Sequence, residues 1–230
     1  MNLRTINSGA VSPRIYWTKS LFCMLFGAFL LVGCSALPDK PIRANLYDFG
    51  PGRLTAEVTK RETALPALAI DDISTSGGAL DNQAVLYRLT YRNAQELRPY
   101  TLARWAAPPA QLVRQRLREQ LGQRRSIFDA RGGLALNRSQ NAVLPLLLRL
   151  DLEEFSQVFT MPEASIGLIR LRATLIEQAN SGEKLIAQRR IVVQRPAPSA
   201  DAQGGIEALT QATDAAIEEI DLWLQQSMSR

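Results

Sequence analysis

Leu144-Pro145-Leu146-Leu147-Leu148-Arg149-Leu150-Asp151-Leu152-Glu153-Glu154-Phe155 is the stretch from which the fold is read. Side chains of an extended chain point alternately to opposite sides. Leu146, Leu148, Leu150 and Leu152 therefore share one face, and Arg149, Asp151 and Glu153 share the other. Leucines backed by charges describe a strand that covers a core on one side and meets water on the other, the habit of antiparallel sheets. Asp151 and Glu153, two residues apart on one face, have a spacing that suits a divalent cation or an acid/base pair. The simpler reading is the wet side of a sheet. Arg170 and Arg172 on the next strand would serve as cross-strand partners, contributing about 0.2–1 kcal/mol per pair.

Working outward, Ile166–Gln178 and Lys184–Arg195 flank the reversal Asn180-Ser181-Gly182 and predict a long antiparallel hairpin. Upstream, Val85–Tyr91 alternates with period two and predicts a strand. Asn93–Pro99 is expected to connect it to another short strand, Tyr100–Trp105. Pro66–Ser74, Arg124–Asp129 and Tyr47-Asp48-Phe49 are further strand candidates, with turns at Gly50-Pro51-Gly52 and Arg131-Gly132-Gly133. Two segments carry the helical period instead. Pro108-Pro109 opens Ala110–Leu121, which lines up Leu112, Val113, Leu117 and Leu121 with Arg114, Gln115 and Arg118 facing away. Gln203–Ser227 lines up Ile206, Leu209, Thr213, Ala216, Ile217, Ile220 and Leu224, with Asp201 as a cap before it and Trp223 at the edge of the stripe. The expected class is α+β: an antiparallel sheet with two amphipathic helices packed on one face.

The N-terminus has a different logic. Arg4, Arg14 and Lys19 precede the apolar run Leu21–Val32, and no acidic residue occurs before Asp39. Twelve apolar residues make a helix of roughly 18 Å, short of the bilayer core of about 30 Å. Charge, short apolar run and a small residue before the cut describe a secretory signal. At its end Leu31-Val32-Gly33-Cys34 resembles the lipobox of bacterial lipoproteins. That resemblance implies a diacylglyceryl group on the Cys34 thiol, cleavage before it and acylation of the new N-terminus. The expected organisation is a signal peptide over 1–33, a lipidated tether over 34–45 with Pro38 and Pro41, and a domain over 46–230. Ser35 stands where retained inner-membrane lipoproteins usually carry Asp, which points to the outer membrane.

Removing the signal changes the electrostatic reading. Of 27 Lys and Arg residues against 22 Asp and Glu, three cations lie before Cys34, so the mature chain is nearly balanced. The basic pI is then no argument for nucleic acid, and none is expected as a partner. Cys23 leaves with the signal and Cys34 is consumed by lipid, so no disulfide forms within the domain. There is no His anywhere, which removes the commonest general base and metal ligand. With neither a phosphate loop nor a nucleophile elbow, the chain is expected to be no enzyme, to bind no metal and to need no cofactor.

Several motifs carry a family likeness. Leu86-Tyr87-Arg88, Leu97-Arg98-Pro99-Tyr100 and Arg104-Trp105-Ala106-Ala107-Pro108-Pro109, with Tyr47-Asp48-Phe49-Gly50-Pro51 and the lipobox, resemble the ABC-type transport auxiliary lipoprotein family. The resemblance implies a periplasm-facing lipoprotein on the outer membrane. It would dock a mammalian-cell-entry-type ABC system that moves phospholipids or other hydrophobic molecules through the envelope. It implies a periplasmic substrate-binding component as partner and allows a homo-oligomer. It also draws attention to Tyr87, Arg88, Tyr100, Arg104 and Trp105 as a partner interface, since aromatics and Arg dominate interface hot spots. Two other readings stand beside it. One is a carrier holding a lipid chain in an apolar cleft between sheet and helices; the other is a hydrolase using Asp151 and Glu153.

Overall fold

The computed structural model describes residues 43–52, 65–130, 144–179 and 182–229, all within one unit, Arg43–Arg230. The signal peptide, Cys34 and nearly all of the tether lie outside the described residues, as do Arg131-Gly132-Gly133 and Asn180-Ser181. In chain order the elements are β1 (Asn45–Tyr47), β2 (Leu68–Ile70), β3 (Ser74–Thr75), β4 (Ala84–Leu89), β5 (Asn93–Trp105) and α1 (Pro109–Leu121). There follow β6 (Ile127–Asp129), β7 (Leu146–Met161), β8 (Ala164–Ala179), β9 (Gly182–Pro196) and α2 (Ala202–Met228).

The leucine-rich strand β7 is the spine. One edge pairs antiparallel with β8 from Leu147 to Met161, and β8 pairs antiparallel with β9. Along the other edge three short strands lie end to end, all parallel to β7. These are β2 against Leu146–Leu148, β3 against Asp151 and Leu152, and β4 against Gln157–Phe159. β5 continues the sheet antiparallel to β4, and β1 joins β5 in parallel. The sheet is therefore mixed, which corrects the expectation of an antiparallel one. Alternation records which face of a strand is buried and is the same for either direction of pairing. The parallel partners come from far up the chain and leave no local trace.

Boundaries differ where hydrogen bonding overrides composition. Asn93–Pro99 is not a connection: it is the first half of β5, with Arg98 opposite Tyr87 and Leu97 opposite Arg88. Pro66–Ser74 divides into β2 and β3 at Asp71-Asp72, where the Asp71 carboxylate accepts from the Asp72 N–H. Arg124 and Arg125 lie in the turn that follows α1, their backbone N–H groups both donating to the Leu121 carbonyl at 3.3 Å, so β6 starts only at Ile127. Phe49 leaves β1 to meet Trp105 edge-on at 5.5 Å, and the turn behind it uses positive φ at Gly50 and Gly52.

Both helices cover one face, as expected. Leu112, Val113, Leu117 and Leu121 of α1 are buried, and so is the α2 stripe from Ile206 to Leu224, including Trp223. The Asp201 carboxylate accepts the Gly204 N–H at 2.8 Å and caps α2. Close contact between α2 and β8 depends on Gly167, where a Cβ would lie 2.5 Å from the Ala208 backbone. α1 is tied to α2 by Arg116, whose guanidinium grips Asp214 through two bonds of 2.7 and 2.9 Å. Side chains fill the layer between sheet and helices: Trp105, Phe155, Leu117, Leu148, Leu150, Leu152, Leu171, Leu209 and Ile220 are all buried there. Each buried aliphatic of this size contributes roughly 1.5–3 kcal/mol before entropy is charged.

The opposite face departs from the expected wet surface at one end. Ala69, Leu147 and Ile176 are buried there in a small second cluster with Phe128 and Ala130.

Candidate functional site

At the middle of β7 the outer face of the sheet is charged. The register slips between Leu152 and Glu154 against β8, so Glu153 is an inserted residue. Such a bulge shifts the alternation by one. Phe155 returns to the core, and Glu154 joins Glu153 on the outer side. The two carboxylates, 11% and 13% exposed, are ringed by four arginines from three strands. Arg172 binds Glu153 through its Nε at 3.0 Å and a shorter contact from a terminal nitrogen. Arg170 reaches Glu153 at 3.5 Å and Glu154 at 3.7 Å, and Arg190 reaches Glu153 at 3.6 Å. Arg88 forks onto Glu154 at 3.3 and 3.2 Å, and Ser156 donates to it at 2.7 Å.

On the inner face, beneath the start of α2, a polar chain crosses the core. The Tyr100 hydroxyl donates to Gln157 Oε1 at 2.8 Å, and Gln157 Nε2 donates to Ser165 Oγ at 2.8 Å. Gln157 is fully buried. Tyr87 stacks on Tyr100 with ring centroids 4.5 Å apart and meets Phe159 edge-on. Burial, reinforced by Tyr87 and Asp201, pushes the Tyr100 phenol well above the usual range.

The residues singled out from sequence therefore divide. Arg88 faces outward and belongs to the arginine–glutamate cluster. Tyr87 and Tyr100 stack on the inner side of the sheet, and Trp105 is wholly buried in the core with Phe49 and Phe155. Arg104 donates to the carbonyls of Tyr100 and Ala103 on its own strand, bracing β5 beside its register shift against β4. Asp151 and Glu153 do not face each other as a free carboxylate pair. Asp151 accepts from Ser74, while Glu153 is occupied by guanidinium groups. Cys34 lies outside the described residues.

Sequence reasoning missed Glu154, Arg190, Gln157 and Ser165. A signal for the first was present: strict alternation would carry Glu154 into the core behind Leu152, and only a bulge at Glu153 lets Phe155 resume that place. Among the described residues no cluster of His, Cys, Asp and Glu suits a metal ion, and no helix is long and apolar enough to cross a membrane. A groove of about 800 Å³ runs between β3 and α1. Its facing charges are already joined, Arg114 to Asp72 at 3.4 Å and Arg114 and Arg118 to Asp129 at 2.8 and 2.6 Å.

A family model described as the ABC-type transport auxiliary lipoprotein component matches residues 47–221. Among solved structures, a protein from Xanthomonas campestris aligns with a TM-score of 0.58 at 18% identity, covering 71% of this chain and 86% of its own. An uncharacterised protein aligns with a TM-score of 0.56 at 12% identity, covering 79% and 99% respectively. At these identities the two share the fold. No curated protein matches the chain.

Proposed function

The chain belongs to the ABC-type transport auxiliary lipoprotein family, and from that premise we propose that it is the lipid-anchored docking component of an envelope transporter. In this reading Cys34 carries the lipid and the domain stands on the periplasmic side of the outer membrane. It meets the periplasmic substrate-binding component of a mammalian-cell-entry-type ABC system that moves phospholipids or other hydrophobic molecules. The observation that carries the reading is the family match over 47–221, beginning 13 residues after a lipobox cysteine. Thirteen extended residues reach at most about 45 Å, so the domain would work close to the membrane that holds it. One acyl chain binds a bilayer only marginally, and the several chains of a mature lipoprotein make the anchor stable.

The arginine–glutamate cluster supports docking over catalysis, because its carboxylates are engaged by guanidinium groups. The packed layer between sheet and helices likewise favours docking over carriage of a lipid chain.

The test is metabolic labelling with palmitate, followed by membrane fractionation and a pull-down from detergent extracts. Wild-type protein should carry label, fractionate with the outer membrane and recover the periplasmic transporter component. Cys34→Ala should lose the label and the outer-membrane fractionation yet still recover that component. An unlabelled wild-type protein defeats the anchor, and a pull-down without transporter components defeats the docking role.

A further inference from the structure

Strand β9 ends the sheet. It pairs with β8 along one side and with no other strand among the described residues, leaving an open edge 15 residues long. An unprotected edge of this length is a template for another strand, and proteins usually block it. The strand's own charges are mostly of one sign, Lys184, Arg189, Arg190 and Arg195 against Glu183. Lys184 and Arg189 are paired with Glu177 and Glu219 of neighbouring elements, which leaves Arg190 and Arg195 as the edge's outstanding cations. A second copy laid antiparallel with Arg190 at the centre would set Arg190 against Arg190, whereas a carboxylate at that position would pair with it, so this position favours an acidic strand.

The face beside that edge carries the same preference. Arg172 pairs directly with Arg190 across β8 and β9, and Arg170 with Val192. Around Glu153 and Glu154 there are four guanidinium groups for two carboxylates. The acids lie below, whereas Arg170, Arg172 and Arg190 are 39%, 43% and 63% exposed. Charge-assisted N–H···O bonds run at about 2.7–2.9 Å. Arg170 and Arg190 approach their acids only at 3.5–3.7 Å, which leaves strong donors turned to solvent. Val192, half exposed, lies two residues beyond Arg190 on the same face.

We propose that the open edge of β9 receives an extended acidic segment of the transporter's periplasmic component as an added strand. A carboxylate of that segment lies opposite Arg190 and an apolar side chain two positions away lies opposite Val192, with Arg172 and Arg170 of β8 adding positive charge behind those two positions. The partner's identity rests on the docking role proposed above; the chemistry of the segment rests on β9 itself. Main-chain bonds along the edge would supply affinity, and the alternate side chains would supply selectivity.

The test uses the full chain in detergent micelles and a fluorescent peptide of three Glu-Thr-Val-Thr repeats, which presents Glu and Val alternately on one face. The peptide should bind and should weaken as salt rises. The matching Lys-Thr-Val-Thr peptide and an alternately N-methylated Glu-Thr-Val-Thr peptide should not bind. Arg170→Gln with Arg190→Gln should lower affinity about tenfold while melting with the cooperativity of wild type. Arg170→Lys with Arg190→Lys should retain part of the binding and covers the case in which the Gln pair fails to fold. Absence of peptide binding, binding unchanged by the Gln pair, or equal binding of the N-methylated peptide overturns the proposal. So does arginine-dependent binding to phosphatidylglycerol vesicles in place of the peptide, which would make the ligand a lipid surface. In a pull-down, recovery of the transporter component by wild type and Gln pair alike keeps the docking role and rejects this edge. Failure by wild type with peptide binding intact rejects the docking role and keeps the acidic-strand chemistry.

Discussion

Gly205 on α2 lies so close to Gln157 on β7 that a Cβ at position 205 would come within 2.0 Å of Gln157 Oε1. The helix therefore seats on the sheet only because one residue has no side chain and the other is held by Tyr100 and Ser165. Ala normally favours a helix over Gly by about 1 kcal/mol, and here the sign reverses. Gly205→Ala is expected to destabilise by about 1–3 kcal/mol through overpacking. In a Gln157→Ala background the same change should cost much less. A double-mutant cycle in urea checks this, and additive effects would show that the contact does not govern the seating.

Removing the Tyr100 hydroxyl leaves a buried amide oxygen short of a donor. Tyr100→Phe should cost about 1–3 kcal/mol. Burial raises the phenol's pKa in the folded state, so the neutral form is favoured by folding. That stabilisation is complete below the ordinary tyrosine value and is lost as pH rises through the folded-state value. In an alkaline ultraviolet titration one tyrosine should ionise only as the protein unfolds, and Tyr100→Phe should abolish that late step.

Asp201 gives the opposite pH dependence. Its carboxylate is held below the usual range by the Gly204 N–H and then by Ser199. Stability from this cap is present above the ordinary carboxylate value and is lost as pH falls through the lower folded-state value. Asp201→Ala should cost about 1 kcal/mol at neutral pH. Asp201→Asn, which keeps an acceptor without the charge, should flatten the dependence of melting temperature on acidity.

Arg125 is the most buried cation described, its side chain closed off between Asp221 and the Met228 sulfur. Burial lowers its pKa, and Asp221 opposes that effect. Asp221→Asn leaves the guanidinium without its countercharge and should cost about 3–5 kcal/mol. Arg125→Met together with Asp221→Leu should cost markedly less than Asp221→Asn alone.

What the chain announces in advance is local periodicity. The leucines of β7 and the stripe of α2 are written at spacings of two and of three to four residues. Each lies where those spacings place it, in one core. Asp201 was legible for the same reason, because a cap acts within one turn. Tyr87, Tyr100 and Trp105 could be noticed but not assigned a side, because their surroundings are built by Gln157, Phe49 and Phe155 from distant strands. The arginine–glutamate cluster was half visible. Arg170 and Arg172 could be paired with Glu153 by counting, whereas Arg190 and Arg88 arrive through β9 and a parallel pairing that no local pattern encodes.

The spine strand also sets an order of events. Ser74 meets its partner Asp151 across 77 positions of chain, and β2 and β4 wait for the same late segment. A polypeptide emerging from its N-terminus can pair β4 with β5 and β2 with β6, but it leaves one side of β2 and β4, and the whole of β3, unpaired until β7 appears, while β7, β8 and β9 can zip together as neighbours. Long-range pairing of this kind is slow and leaves edges exposed. The early strands are the part of this protein that a holding chaperone would have to shelter.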